Sequence, residues 1–469
     1  MPAAAGGDGW AGPAGLLAEL WDEVGLAADR LRDRHLRLAV TGLRRSGKTI
    51  FITSLVHHLL DGVGLPFLGA VHEGRYLGAQ RRPPGPGPAF PYAEFHALLS
   101  GDPPRWPKAT ERLSTLRLEI AWRTRGMLLS RLSPIQHLTL EIIDYPGEWL
   151  LDLPLLERDF TAFSREALAL AETPARHAAA APWRARLASL DTAAPGDEAT
   201  LAELAALYTA YLRRCHHELG LSLVQPGRFT NPGELAGSPL LAFAPLPEGP
   251  APPGSLRALA AARYRRYRDE VVASFYREHF SRFDRQIVLV DLLASLNAGP
   301  THFADTERAL TLILDSFRYG DASWLARLFA PRIDKLLFAA SKADHVAHSQ
   351  HANLKALLER LVQGPARRPR FSGITVDVLA LAALRSTDSV RTDYQGQVLS
   401  CVRGRLKDED RETVLFPGEI PSDLPEPEDW TSGRFRFREF APRRLRAGSV
   451  DQHIRLDQAI EFLVGDKLR

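Results

Sequence analysis

Apolar and polar positions along this 469-residue chain follow two periods, and they trade places in a definite order. Residues 36–41, "LRLAVT", alternate and stop abruptly, as a strand entering a tight turn does. Residues 50–60 repeat their apolar side chains at three- and four-residue intervals, which predicts a helix. Residues 113–124 and 134–144 alternate on either side of a short break and predict a β-hairpin. Short apolar runs at 285–293 and 335–340 read as buried strands, and residues 373–381 as a last one. About 140 residues separate position 144 from the next strand, where one connecting helix would suffice. They carry helical periodicity at 155–172, 200–219 and 255–283, broken by a Pro/Gly-rich stretch at 225–254. A closing helix is predicted at 453–468.

The polar residues at the strand ends carry the chemistry. Gly42 to Thr49, "GLRRSGKT", fits G-x-x-x-x-G-K-[ST] between a strand and a helix. In such a loop Gly42 lets the chain turn, and the N–H groups of Arg45, Ser46, Gly47, Lys48, Thr49 and Ile50 can face a polyphosphate. The helix N-terminus adds partial positive charge, Lys48 reaches the β and γ phosphates, and the Thr49 hydroxyl suits Mg²⁺. The second hairpin strand ends in "DYPG". Asp144 there can hold a water on the metal, and the Gly147 N–H can sense a γ-phosphate. The strand at 335–340 runs into "SKAD", Ser341 to Asp344, followed by His345. Guanine offers two donors, N1–H and its amino group, to the Asp344 carboxylate, while the Lys342 stem lies along the base. Adenine has neither donor in that place. After the last strand, the backbone N–H of Ala382 or Ala383 can meet the guanine O6. D-x-x-G and SKAD are each common by chance; their order behind the phosphate loop gives them weight.

Composition changes this picture little. Hydrophobic content of 45% and charged content of 25% are those of a globular protein, and the net charge of +3 gives no basic field to attract nucleic acid. Two cysteines, Cys215 and Cys401, build no disulfide framework. The histidines, His57–His58 and His216–His217 among them, lack carboxylate or cysteine partners at ligand spacing, so no transition-metal site is expected. Neither a signal peptide nor a membrane-length apolar run is visible, so the expectation is a reduced, cytoplasmic protein. Only seven of the 59 basic residues are lysine. Where lysine persists, its compact ammonium or plain stem is specifically needed. Lys48 and Lys342 are two of the seven.

The segments "VTGLRRSGKT", "IIDYPGEWLLDLPLL", "QPGRF", "HFSRFDRQIVLVDLL", "SKADHV" and "HIRLDQAIEFLVGDKL" together resemble the YcjX-like family of bacterial P-loop proteins. The resemblance runs over nearly the whole chain. It implies a Ras-like, α/β nucleotide domain, with a mixed, mostly parallel sheet flanked by helices, carrying a large helical insertion. It also implies stress-associated GTP binding. The expected layout is an N-terminal helical segment (1–35), a nucleotide domain in two parts (36–150 and 285–405), the insertion (151–284) and a C-terminal extension (406–469). The expected function is slow Mg²⁺-dependent hydrolysis of GTP to GDP that switches the insertion, with an unnamed protein effector. The competitors are a P-loop ATPase or kinase and a nucleotide-stabilised interaction or membrane-remodelling module.

Several positions depart from a Ras-like pattern. Arg44 and Arg45 stand where small residues are usual, and either could neutralise transition-state charge in cis. Glu148 stands where a water-orienting glutamine is usual; a carboxylate there can orient water but repels phosphate, so slow turnover is expected. Ser341 replaces Asn or Thr and loses a tie to the phosphate loop. Thr110, in the long connector before the hairpin, is the candidate first-switch metal ligand beside Thr49 and Asp144, and Trp106 could cover the nucleotide. The helix with Arg257, Arg263, Arg265, Arg266, Arg268, Tyr264 and Tyr267 reads first as a solvated face whose aromatics complete a core, and otherwise as a surface for an anionic membrane, peripheral to the inner membrane, or for nucleic acid.

Overall fold

The computed structural model describes residues 34–85, 87–108, 112–125, 134–317, 333–363, 374–407, 409 and 411–469. The expected N-terminal helical segment and Thr110 lie outside them. Seven strands form the central sheet: β1 (Arg34–Gly42), β2 (Tyr76–Arg82), β3 (Ser114–Arg123), β4 (Ile135–Asp144), β5 (Arg285–Val290), β6 (Lys335–Ala340) and β7 (Thr375–Ala380), in the order β2-β3-β4-β1-β5-β6-β7. β3 alone runs antiparallel to its neighbours, which makes the sheet mixed and mostly parallel, as expected. The predicted hairpin is β3–β4, in unbroken register from Ser114 opposite Asp144 to Arg123 opposite Ile135.

Strand side chains point alternately to two faces, and both faces are covered. Leu36, Leu38 and Val40 of β1 join Ile287 and Leu289 of β5 under one helical layer. That layer consists of α1 (Lys48–Asp61) and the closing helix near the C-terminus, through Phe51, Ile52 and Leu55 and through Leu456, Ile460 and Leu463. Ala39, Val288, Val290 and Phe338 point the other way. There they meet the helices between β4 and β5: α3 (Phe160–Ala171), α4 (Pro174–Ala188), α5 (Glu198–Arg213) and α6 (Leu256–Arg266). The insertion therefore shares one apolar core with a face of the sheet. Its helices start where side chains cap them: Asp159 accepts from the Ala162 N–H, Asp197 from Thr200 and Ser255 from Ala258.

The tyrosines of α6 and its continuation, Tyr264 and Tyr267, are fully buried. Arg257 is buried too and donates to the Leu246 carbonyl, while Arg263, Arg266 and Arg268 pair with Glu198, Glu270 and Asp269. The aromatic residues of this helix complete a core, as the first of the two readings has it. Among the described residues no helix is long and apolar enough to cross a membrane.

Three features were not foreseen. β2 and the helix α2 (Tyr92–Ser100) lie in what reads as a connector. A second sheet of three antiparallel strands, β8 (Thr387–Tyr394), β9 (Gln397–Arg405) and β10 (Glu412–Leu415), follows β7.

Candidate functional site

The C-terminal ends of β1, β5, β6 and β7 open on one cavity of about 390 Å³, within the range of small-molecule sites. Its walls bring together the two ends predicted from sequence. At one end are Arg45, Ser46, Gly47, Lys48, Thr49 and Ile50; at the other are Ser341, Lys342, Asp344, His345, Ala382 and Ala383.

The phosphate loop turns where its sequence permits. Gly42 leaves no room for a side chain, since a Cβ there would lie 2.6 Å from the Leu289 carbonyl oxygen. Gly47 takes φ 86° to start α1, and Arg45 takes φ 55°, a left-handed conformation that is uncommon for a residue with a side chain. Lys48 Nζ lies 3.2 Å from Asp144 Oδ1 and 2.8 Å from the Tyr145 carbonyl oxygen. Thr49 and Asp144 are both buried. Gly147 packs so tightly on the loop that a Cβ would stand 2.1 Å from the Gly42 oxygen.

The base end is built from ion pairs and a strand-end turn. Lys342, at φ 58°, pairs with Asp291 at 2.5 Å. Burial opposes its charge, but the Asp291 carboxylate prevails and its pKa rises. Asp344 Oδ2 accepts from the Ser386 N–H at 2.7 Å and the Ser386 hydroxyl at 2.5 Å, so the carboxylate is oriented from below. Ser341 ties back to β5, its N–H 2.9 Å from the Val290 oxygen. His345 is buried, which lowers its pKa, with its ring against Phe440. The Ala382 N–H is donated to the Ile454 carbonyl at 3.0 Å. Of the two expected O6 donors, Ala382 thus gives its N–H to the closing segment.

The two arginines separate. Arg45 lines the cavity, whereas Arg44 is turned to the insertion, where Nη2 donates to the His217 carbonyl at 3.2 Å. Burial lowers the Arg44 pKa, aided by the neighbouring Arg45. Glu148 does not line the cavity. Its carboxylate sits 3.3 Å from His216, a partner that sequence spacing did not reveal because the two are 68 positions apart across the insertion. Burial works to raise the Glu148 pKa, but the His216 hydrogen bond and charge and the Lys48 charge outweigh it, and the net shift is downward.

The C-terminal extension supplies the residues that sequence reasoning missed. Lys407, Glu439 and Phe440 line the cavity together with Trp106 and Ser386. Lys407 pairs with Glu439 at 2.5 Å, and Trp106 Nε1 donates to the Phe440 carbonyl at 2.9 Å. The scarcity of lysine could have pointed to Lys407: three of the seven lysines line this one cavity.

A glycine-turned phosphate loop entering α1, on a mostly parallel sheet whose strand ends form the cavity, defines a P-loop protein of Ras-like architecture. Residues 36–468 match the model of the YcjX-like family, DUF463, and the chain belongs to that family. It is 44% identical, over 97% of its length and all of the relative's, to a protein of Escherichia coli K12 named "Ras-like GTPase YcjX". It is 39% identical, over 94% of its length and 96% of the relative's, to a protein of the same name from Shewanella oneidensis.

Proposed function

We propose that this protein binds guanine nucleotide with Mg²⁺, hydrolyses GTP slowly, and uses the difference between GTP and GDP to alter how its insertion sits on the phosphate loop. The single observation that carries this reading is the cavity itself. One space of about 390 Å³ has Lys48 and Thr49 at one end and an Asp344 carboxylate, oriented by Ser386, at the other. The names of the relatives support the same reading.

Lys48 and the loop N–H groups bind the phosphates, and Arg45 meets charge that develops during transfer. Thr49 and Asp144 offer hydroxyl and carboxylate oxygens, the hard donors that Mg²⁺ prefers, and both are buried beside Lys48. The metal would supply neutralisation of β and γ oxygen charge. Asp344 accepts from guanine N1–H and its amino group, Lys342 lies along the base, and Trp106 closes the cavity from the side. Turnover is slow because Glu148, outside the cavity wall but next to Gly147 at the phosphate loop, puts a carboxylate where a neutral glutamine is usual. Gly147, in contact with Gly42, is the joint through which the γ-phosphate reaches the insertion. The stress association that the family resemblance implies would be the setting of this switch.

Calorimetric titration of the pure protein with GDP, GTP, ADP and ATP tests the proposal. Guanine nucleotides are expected to bind at least about tenfold more tightly than adenine ones, the equivalent of roughly 1.4 kcal/mol. Equal binding of ADP and GDP overturns it.

A further inference from the structure

Glu148 is gripped by the insertion from two sides. His216 Nε2 lies 3.3 Å from Glu148 Oε1, with the two side chains only 9% and 14% exposed. Gly227, in the "QPGRF" segment, packs on the Glu148 backbone so closely that a Cβ would stand 2.0 Å from its carbonyl oxygen. The next residue of each pair is engaged as well. His217 receives the Arg44 guanidinium through its carbonyl, and Arg228 stacks on Trp149 at 3.3 Å from the ring centroid. His216 itself sits in Arg214–Glu218, a π-helical turn that continues α5. Such turns displace a side chain from its helical position and are frequent at functional sites.

Packing alone does not call for this pair. A buried carboxylate and imidazole contribute little to stability compared with apolar residues of the same size, because both must be desolvated. The pair does answer the difficulty that Glu148 poses for hydrolysis. A carboxylate near a γ-phosphate repels it, but one held by an imidazole donor has a fixed direction and part of its charge offset. We infer that His216 is a positioning residue for Glu148, so that the helical insertion contributes to GTP hydrolysis in cis. His216 touches neither nucleotide nor water in this scheme; it acts through Glu148, which stands outside the cavity wall but follows Gly147 at the phosphate loop, and which accepts a hydrogen bond from the attacking water. The inference rests on the proposed GTPase reading.

The test uses the full chain with Mg²⁺ and GTP, following single-turnover hydrolysis, GDP affinity by calorimetry and thermal stability. His216→Ala is expected to lower the single-turnover rate about tenfold or more while GDP affinity stays within about twofold, the signature of a loss confined to the transition state. His216→Gln, whose amide can donate to the same carboxylate oxygen, is expected to recover much of that rate. His216→Ala combined with Glu148→Gln should be no slower than Glu148→Gln alone, since both remove one unit. Wild-type rates in His216→Ala, equal defects in the Ala and Gln variants, or additive losses in the double variant overturn the inference. A wild-type protein that binds no guanine nucleotide sinks the GTPase reading itself, which the GDP titration shows separately.

Discussion

The phosphate end and the base end of the cavity are supported by different parts of the chain. At the phosphate end, Lys48, Asp144 and Gly147 are backed by the insertion, through Arg44 on His217 and Glu148 on His216. At the base end, Lys342, Asp344 and Ala383 are backed by the C-terminal extension, through Glu439 with Lys407 and the Ala382–Ile454 bridge. The supports differ in kind. The insertion holds groups that would respond to whether a γ-phosphate is present, so its contacts can change with nucleotide state. On the proposed function the extension holds groups for a base common to GTP and GDP, so its contacts have no reason to change.

The sharpest way to break this comparison is at the phosphate end. Replacing Lys48 with Ala removes the charge that compensates the β and γ oxygens, so GTP turnover should fall by about two orders of magnitude or more, with binding weakened. A single-turnover assay at saturating nucleotide measures the first effect and calorimetry the second. Next comes the base end. Replacing Asp344 with Asn turns an acceptor toward guanine's amino group into a donor. Charged hydrogen bonds contribute about 1.5–3 kcal/mol each, so GDP affinity should drop roughly ten- to hundredfold. Xanthine carries a carbonyl where guanine carries that amine, so xanthosine diphosphate should then bind better than GDP. Competition titration of the variant with both nucleotides is decisive; unchanged GDP binding would remove Asp344 from the base site.

Between these lie the arginines. Arg45→Ala should lower the hydrolysis rate about tenfold with GDP affinity little changed, whereas Arg44→Ala should leave the chemical step within about twofold, because Arg44 faces the insertion. The reverse ranking would show that Arg44 swings into the cavity during turnover. The smallest effect is expected at Ser386. Replacing it with Ala removes one of two donors to Asp344 Oδ2, and the backbone N–H remains. GDP affinity should fall only a few-fold, within the ordinary value of one hydrogen bond of about 0.5–1.5 kcal/mol.

How much of this was legible in the sequence follows from range. The phosphate loop is a local device: strand, turn and helix N-terminus all lie within residues 36–60, so its pattern announces it. β3 and β4 could be read because a hairpin pairs near neighbours. Asp344 was visible for the same reason, as the polar end of an apolar strand. Ser386 was not, because its role exists only once β6 and β7 lie side by side and carry its hydroxyl to Asp344. His216 was invisible for a stronger reason of the same kind, since only the folded insertion brings it to Glu148. β8 escaped notice because Val390 and Tyr394 are its only apolar side chains, and β9 because its apolar residues come in adjacent pairs, Val398–Leu399 and Cys401–Val402, without alternation. Arg44 and Arg45 looked equivalent in the sequence; the left-handed turn at Arg45 is what sends their side chains to different neighbours.

The apolar cluster that joins Ala39, Val288 and Phe338 of the sheet to Phe163, Trp183 and Tyr264 of the insertion has a consequence for how this protein comes apart. A domain with its own core melts on its own and can be cut out or exchanged like a cartridge. Here the insertion covers one face of the sheet together with the helices Pro300–Ser316 and His351–Gln363, and removing residues 160–280 would leave that shared core incomplete. The two parts should therefore melt in a single calorimetric transition. On the proposed function, a nucleotide-driven motion that keeps this core intact is a small slide across a shared seam.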